Sequence, residues 1–143
     1  MEACALTDYG NMYGAVSFYS AMSSTGVRPI IGYEAYVASA GRSDRSSAVQ
    51  AGERPYYNLV LLARDLTGYQ NLVELSSRAF TEGFHHKPRI DLDLLGQYSN
   101  GLIGLSTATG GAAAHFLHNR DVARATGAAK ELEAIFGRGN FFL

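Results

Sequence analysis

The sequence predicts an α/β fold of mostly parallel strands joined by crossover helices. Short apolar runs of strand length at 3–7, 27–31, 56–63 and 101–106 are separated by stretches whose apolar residues recur at helical spacing. Glycines stand at many of the junctions, and 16 of them in 143 residues exceed the usual share of about 7%.

The first unit reads strand, loop, helix. Ala3 to Thr7 is apolar up to Asp8 and Gly10, and Met12, Ala15, Val16, Tyr19 and Met22 then repeat helically until Gly26, placed as a C-terminal cap. Val27 to Ile31 is a second strand that continues past Gly32, with Glu34 and Tyr36 on the face opposite Tyr33, Ala35 and Val37. Residues 38–55 have no hydrophobic period and read as an exposed, mobile loop within the domain. Tyr56 to Ala63 is the strongest strand signal, and Tyr33–Val37 with Tyr56–Leu62 would pair as a long-looped hairpin.

Thr67 and Gln70 form a capping box for a helix to about Glu82, with Leu72, Val73, Leu75, Ala79 and Phe80 as its stripe. Asp91 reads as the cap of a short helix through Gln97, and Gly101 to Ser106 as a buried strand. After a turn at Gly110-Gly111, helices over 112–118 and 121–136 lead to a last strand at Asn140–Leu143.

Composition narrows the function classes. With 12 Lys and Arg against 13 Asp and Glu the formal charge is −1, which lacks the basic excess of a free-standing nucleic-acid binder. The single cysteine, Cys4, forms no internal disulfide and no cysteine metal cluster. No signal-peptide pattern and no apolar run near 18 residues is present, so the expectation is a cytoplasmic chain with no membrane partner.

In parallel α/β folds reactive residues sit after the strands, which points to the loops beginning at Asp8, Gly32 and Ser106. Asp8 and Glu34 from neighbouring strand ends would hold a metal or share a proton; alternatively Asp8 caps the following helix and Glu34 is a solvated strand residue. His85 and His86 are adjacent on an extended loop, where consecutive side chains point apart, and read as surface residues. His115 and His118 share a helix face with no acidic or cysteine ligand nearby in sequence, and read the same way.

Four stretches carry a more specific signal. Ala5-Leu-Thr-Asp-Tyr-Gly-Asn-Met-Tyr-Gly-Ala15, Arg28-Pro-Ile-Ile-Gly-Tyr-Glu-Ala-Tyr-Val37, Tyr57-Asn-Leu-Val-Leu-Leu-Ala63 through Gly68-Tyr-Gln-Asn-Leu72, and Gly83-Phe-His-His-Lys-Pro-Arg-Ile-Asp91 resemble, in order and spacing, the PHP domain of bacterial replicative DNA polymerase alpha subunits. Gly101–Ser106 and Asn140–Leu143 continue the resemblance over the whole chain.

The resemblance implies part of a distorted PHP-type (β/α) barrel, one that in many members holds metal ions in its mouth for hydrolysis of DNA ends. It implies a partial PHP domain over 1–143 whose two ends fall inside the barrel. The family's Thr-Asp-His reads Thr7-Asp8-Tyr9 here, and a phenol is a poor ligand at neutral pH. Glu34 matches a ligand glutamate and is retained, Asn58 stands where a histidine is usual, and Ala108 stands where a cysteine is expected.

The expectation is therefore a degenerate site: Glu34 as retained ligand, Asp8 as a carboxylate behind it, Tyr9, Asn58 and Ala108 as lost ligands. No catalytic residue and no cofactor is expected beyond weakly held zinc or manganese. The implied role is a scaffold and docking region in DNA replication. Its partners would be the polymerase domains of the same chain, DNA through the parent protein, and a proofreading exonuclease subunit. Lys87 and Arg89 are candidates for a DNA contact or a loop anchor, with anchoring favoured for Arg89 between Pro88 and Ile90. The alternative function is a metal-dependent phosphoesterase or exonuclease with altered ligands.

Overall fold

The computed structural model describes residues 1–45 and 52–143. Eleven elements follow one another: β1 (Ala3–Tyr9), α1 (Ala15–Thr25), β2 (Arg28–Ala38), β3 (Tyr56–Ala63), α2 (Leu66–Thr81), β4 (Arg89–Ile90), α3 (Leu92–Gln97), β5 (Leu102–Ser106), α4 (Ala112–His118), α5 (Val122–Phe136) and β6 (Phe141–Phe142). The strands form one sheet in the order β1-β2-β3-β5-β6.

β1 runs parallel to β2, with Tyr9 opposite Glu34, and β4 adds two parallel pairs at Tyr36 and Val37. β3 alone runs against its neighbours: it pairs antiparallel with β2 from Gly32↔Leu62 to Ala38↔Tyr56 and antiparallel with β5. The long-looped hairpin thus forms, and the mostly parallel sheet carries one reversed strand. Among the described residues the strands do not close into a barrel.

One face of the sheet is covered. Tyr33, Ala35, Leu59 and Leu61 pack beneath Leu72 and Leu75 of α2 and Leu94 and Leu95 of α3, all at most 2% exposed. Leu132 and Phe136 of α5 close the same core. The opposite face is only half-buried at Val60, Leu62, Ile103 and Leu105, although these side chains are as apolar as those of the core.

The helix stripes need two corrections. On α1 only Ala15 is buried, whereas Val16 and Tyr19 are 73% and 57% exposed. On α2, Leu72, Leu75 and Ala79 face the core while Val73 and Phe80 are turned toward solvent. A stripe is narrower than the apolar positions that periodicity admits.

Caps explain where the helices start. The capping box at Thr67 does not form, because α2 begins at Leu66 and Thr67 already lies in its first turn. Asp65, extended at φ −149°, caps instead, its Oδ1 accepting the Gly68 N–H at 2.9 Å. Gly68 is also required sterically: a Cβ there would lie 1.9 Å from the carbonyl oxygen of Gly101. Asp91 caps α3 as expected, accepting the Leu94 N–H at 2.9 Å, and Gly26 ends α1 with φ +74°.

The described residues after β2 are mostly exposed, as expected, among them Ser39, Ala40, Ser43, Arg45, Arg54 and Pro55, but several are tied to the rest of the domain. Ala38 is buried within β2, and Ser39 Oγ donates to the Arg54 carbonyl at 2.6 Å. Arg42 donates from Nε to Glu82 at 2.7 Å and from Nη1 to both Asp91 oxygens at 2.9 and 3.0 Å. Charge thus anchors the loop at Arg42; residues 46–51, part of the expected exposed segment, lie outside the described residues.

Candidate functional site

Strand direction gathers the candidate residues at one end of the sheet. The C-terminal ends of β1, β2 and β5 and the N-terminal end of the reversed β3 meet there, bringing Tyr9, Glu34, Asn58 and the loop from Thr107 to Gly110 together. Alternation along β2 puts Glu34 and Tyr36 on the half-open face, away from the core.

Glu34 lies within β2 rather than at a loop after Gly32, since β2 continues to Ala38. Its Oε1 accepts a hydrogen bond from Asn58 Nδ2 at 2.6 Å. A carboxylate only accepts, so the amide group facing it is the NH₂. Asn58 is itself fixed by its backbone, whose N–H donates to the Gly110 carbonyl at 2.8 Å and whose carbonyl accepts from Thr107 Oγ1 at 3.2 Å. Thr107 and Gly110 therefore orient the amide, roles that single-sequence reading does not assign because both act through backbone contacts.

Tyr9 stands opposite Glu34 but is 63% exposed, and the N–H of Gly10 donates to the Glu34 carbonyl at 2.9 Å. Asp8 is placed differently from the expected carboxylate behind the site. One residue along the strand, it pairs with Tyr33 and so belongs to the helix-covered face. There its Oδ2 accepts the N–H of Gly14, the residue at the start of α1, at 3.0 Å, although α1 has no side-chain cap of its own. Ala108 is exposed in the loop after β5 and presents only a methyl group.

Tyr36 is the neighbour that motif matching misses, though its alternation with Glu34 marks it. Its ring meets Tyr56 edge-on at 5.0 Å and lies under the Lys87 ammonium, 5.4 Å from the ring centroid. Lys87 is exposed at this rim. Arg89 is 4% exposed and donates from Nε to the Gly83 carbonyl at 3.2 Å and from Nη2 to the carbonyls of Arg42 and Asp44 at 3.2 and 2.6 Å. That is the geometry of a loop anchor.

The rest of the rim is charge-tuned. Burial, with His86, Arg89 and Arg45 nearby, holds the His85 imidazole below its ordinary value. At Asp91 burial pushes the carboxyl up, but the N–H groups of Arg42 and Leu94 and the Arg42 guanidinium outweigh it and hold the group below the usual carboxylate range.

Among the described residues the mouth brings together the Glu34 carboxylate, the Asn58 amide, the Thr107 hydroxyl and the exposed Tyr9 phenol. This donor set does not fit the imidazole, carboxylate and thiolate cluster that the resemblance implies, because the Asn58 amide donates to the Glu34 carboxylate and a phenol binds metals poorly at neutral pH. Among the described residues no group of three or more His, Cys, Asp or Glu side chains is placed to share a metal ion.

The sequence model of the family described as PHP domain matches residues 1–143. The chain belongs to the PHP domain family. This PHP domain is similar to the DNA polymerase III subunit alpha of Thermus aquaticus, 47% identical over 141 residues that make up 99% of this chain and 11% of that protein. It is also similar to the proteins of that name from Treponema pallidum, 44% identical over 142 residues covering 99% of this chain and 12% of that one, and Aquifex aeolicus, 37% identical over 139 residues covering 95% and 12%. The chain thus spans about one-tenth of the length of these curated relatives. Among the described residues no helix of this PHP domain is long and apolar enough to cross a membrane.

Proposed function

We propose that this PHP domain is the corresponding part of a DNA polymerase III alpha subunit, where it serves replication as a scaffold and docking region with a dismantled metal site. The observation that carries this reading is the Asn58 amide donating to Glu34 at 2.6 Å. In a working metal cluster that carboxylate would face a cation; here a neutral amide satisfies it.

The half-open apolar face supports the structural half of the proposal. Val60, Leu62, Ile103 and Leu105 form a wall with the composition of a core. Further segments of a longer chain would complete the distorted barrel over them, since an apolar sheet face gains by leaving water. Duplex DNA would be gripped mainly by other domains, consistent with a formal charge of −1. A proofreading exonuclease subunit is the external partner for such a docking region, and the cytoplasm its compartment.

The test is a phosphodiester-hydrolysis assay on the complete polypeptide with added zinc or manganese, alongside Glu34→Ala. The expected result is no hydrolysis that depends on Glu34. Metal-dependent hydrolysis abolished by Glu34→Ala would instead establish an altered but working phosphoesterase.

A further inference from the structure

A row of aromatic rings that does not include Glu34 or Asn58 lies on the surface. Tyr13, Phe80 and Phe84 are 80%, 38% and 46% exposed, and they come from the loop before α1, the last turn of α2 and the segment after it. Their rings follow one another in stacked fashion, with centroids 6.3 Å apart for Tyr13 and Phe80 and 6.1 Å for Phe80 and Phe84, at interplanar angles of 29° and 19°. Aromatic side chains of this size are normally buried, so three in series at the surface call for a ligand that covers them.

The chain indicates which ligand. Directly after Phe84 come His85, His86 and Lys87. A tight turn closed by the His85 N–H to the Lys87 carbonyl at 3.0 Å sets the two imidazoles 4.5 Å apart, with His86 at φ +60°. Exposed Arg45 joins this tip, its Nη2 donating to the Glu82 carbonyl at 3.2 Å. The carboxylates around the tip are Asp44, Glu82 and Asp91, and Arg42 engages the last two. Ring faces leading into a cationic tip suit a ligand that alternates flat bases with phosphates.

We infer that Tyr13, Phe80 and Phe84, with Lys87 and Arg45 at their end, form a contact surface for single-stranded nucleic acid, bases resting on the rings and phosphates at the cationic tip. Base stacking on aromatic rings tolerates any sequence, and the phosphate contacts would weaken as salt rises. The surface does not involve Glu34, so it stands whether or not metal binds there.

The experiment is photocrosslinking of the complete polypeptide to an oligothymidylate carrying iododeoxyuridine, with the crosslinked peptides mapped by mass spectrometry. Crosslinks are expected on Tyr13, Phe80 or Phe84, with yields falling as salt rises. In Phe84→Leu and in Lys87→Glu, each confirmed folded by circular dichroism, yield at this surface should drop at least about fivefold while crosslinks elsewhere persist. Crosslinks confined to other segments, or a surface yield unchanged in both variants, would overturn the inference.

Discussion

Replacing Asp91 by Asn isolates the charge that ties the loop after β2 to the core. Asp91 has one oxygen on the Leu94 N–H and another on the Arg42 N–H, each at 2.9 Å, and both oxygens meet the Arg42 guanidinium. Asparagine is nearly isosteric and caps helices well, so the Leu94 bond and about 1 kcal/mol of capping survive. What is lost is the negative partner of Arg42 and an acceptor for its N–H. A hydrogen bond to a charged group contributes about 1.5–3 kcal/mol, and the site is only partly enclosed, so the net loss should be about 2–3 kcal/mol. For a chain of this length that corresponds to a fall in melting temperature of about 6–12 °C.

The pH dependence gives a second, sharper handle. The folded-state carboxyl of Asp91 lies below its unfolded value of about 3.9, so its contribution is present above pH about 4 and is lost as pH falls through the folded value. Thermal melting of both proteins from pH 7 to pH 2 should therefore show the gap between them wide at neutral pH and closing below pH 4. Hydrogen exchange should show faster opening at Arg42 in the variant. A gap under about 0.5 kcal/mol at neutral pH, or one that does not narrow in acid, would refute the reasoning.

Three further outcomes follow from the packing. Among the described residues the buried Tyr33 hydroxyl has no hydrogen-bond partner, so Tyr33→Phe should leave stability unchanged or raise it by about 1 kcal/mol in urea unfolding; a loss of more than about 1 kcal/mol would mean that the hydroxyl is satisfied. Gly68→Ala should cost more than about 2 kcal/mol because the new methyl meets the Gly101 carbonyl, and a neutral result would show that α2 shifts freely over that turn. Asn58→Asp sets a second carboxylate beside Glu34, so one of the pair should titrate well above the usual range by NMR; two ordinary titrations would mean that the side chains have separated.

Much of the fold was legible because its signals are local. Tyr56–Ala63 is a run of apolar and aromatic residues broken only by Asn58, and Asp91 stands directly before Leu-Asp-Leu-Leu, so strand and cap could be read from neighbours alone. The capping-box pattern placed the cap at Thr67, whereas Asp65 caps α2, because the pattern does not register where the chain turns extended. The site was half legible: Glu34 and Asn58 stand on the two strands of the expected hairpin and meet, while Asp8 was lost to the other face by a one-residue step in the pleat.

The contacts that escaped are long-range. Arg42 and Asp91 are 49 positions apart, and Tyr13 meets Phe80 only after two helices and three strands have been placed. Neither pair leaves a periodic trace. Similarly, Val16 and Tyr19 repeat at helical spacing yet stay exposed, because spacing reports a face and not what covers it.

The central claim is that Glu34 is satisfied by Asn58 and not by a cation. Its most direct test is the zinc and manganese content of the complete polypeptide, purified without chelator and dialysed against each metal. Metal well below one equivalent, unchanged in Glu34→Ala, is the expected result. A stoichiometric metal that disappears in Glu34→Ala would contradict it.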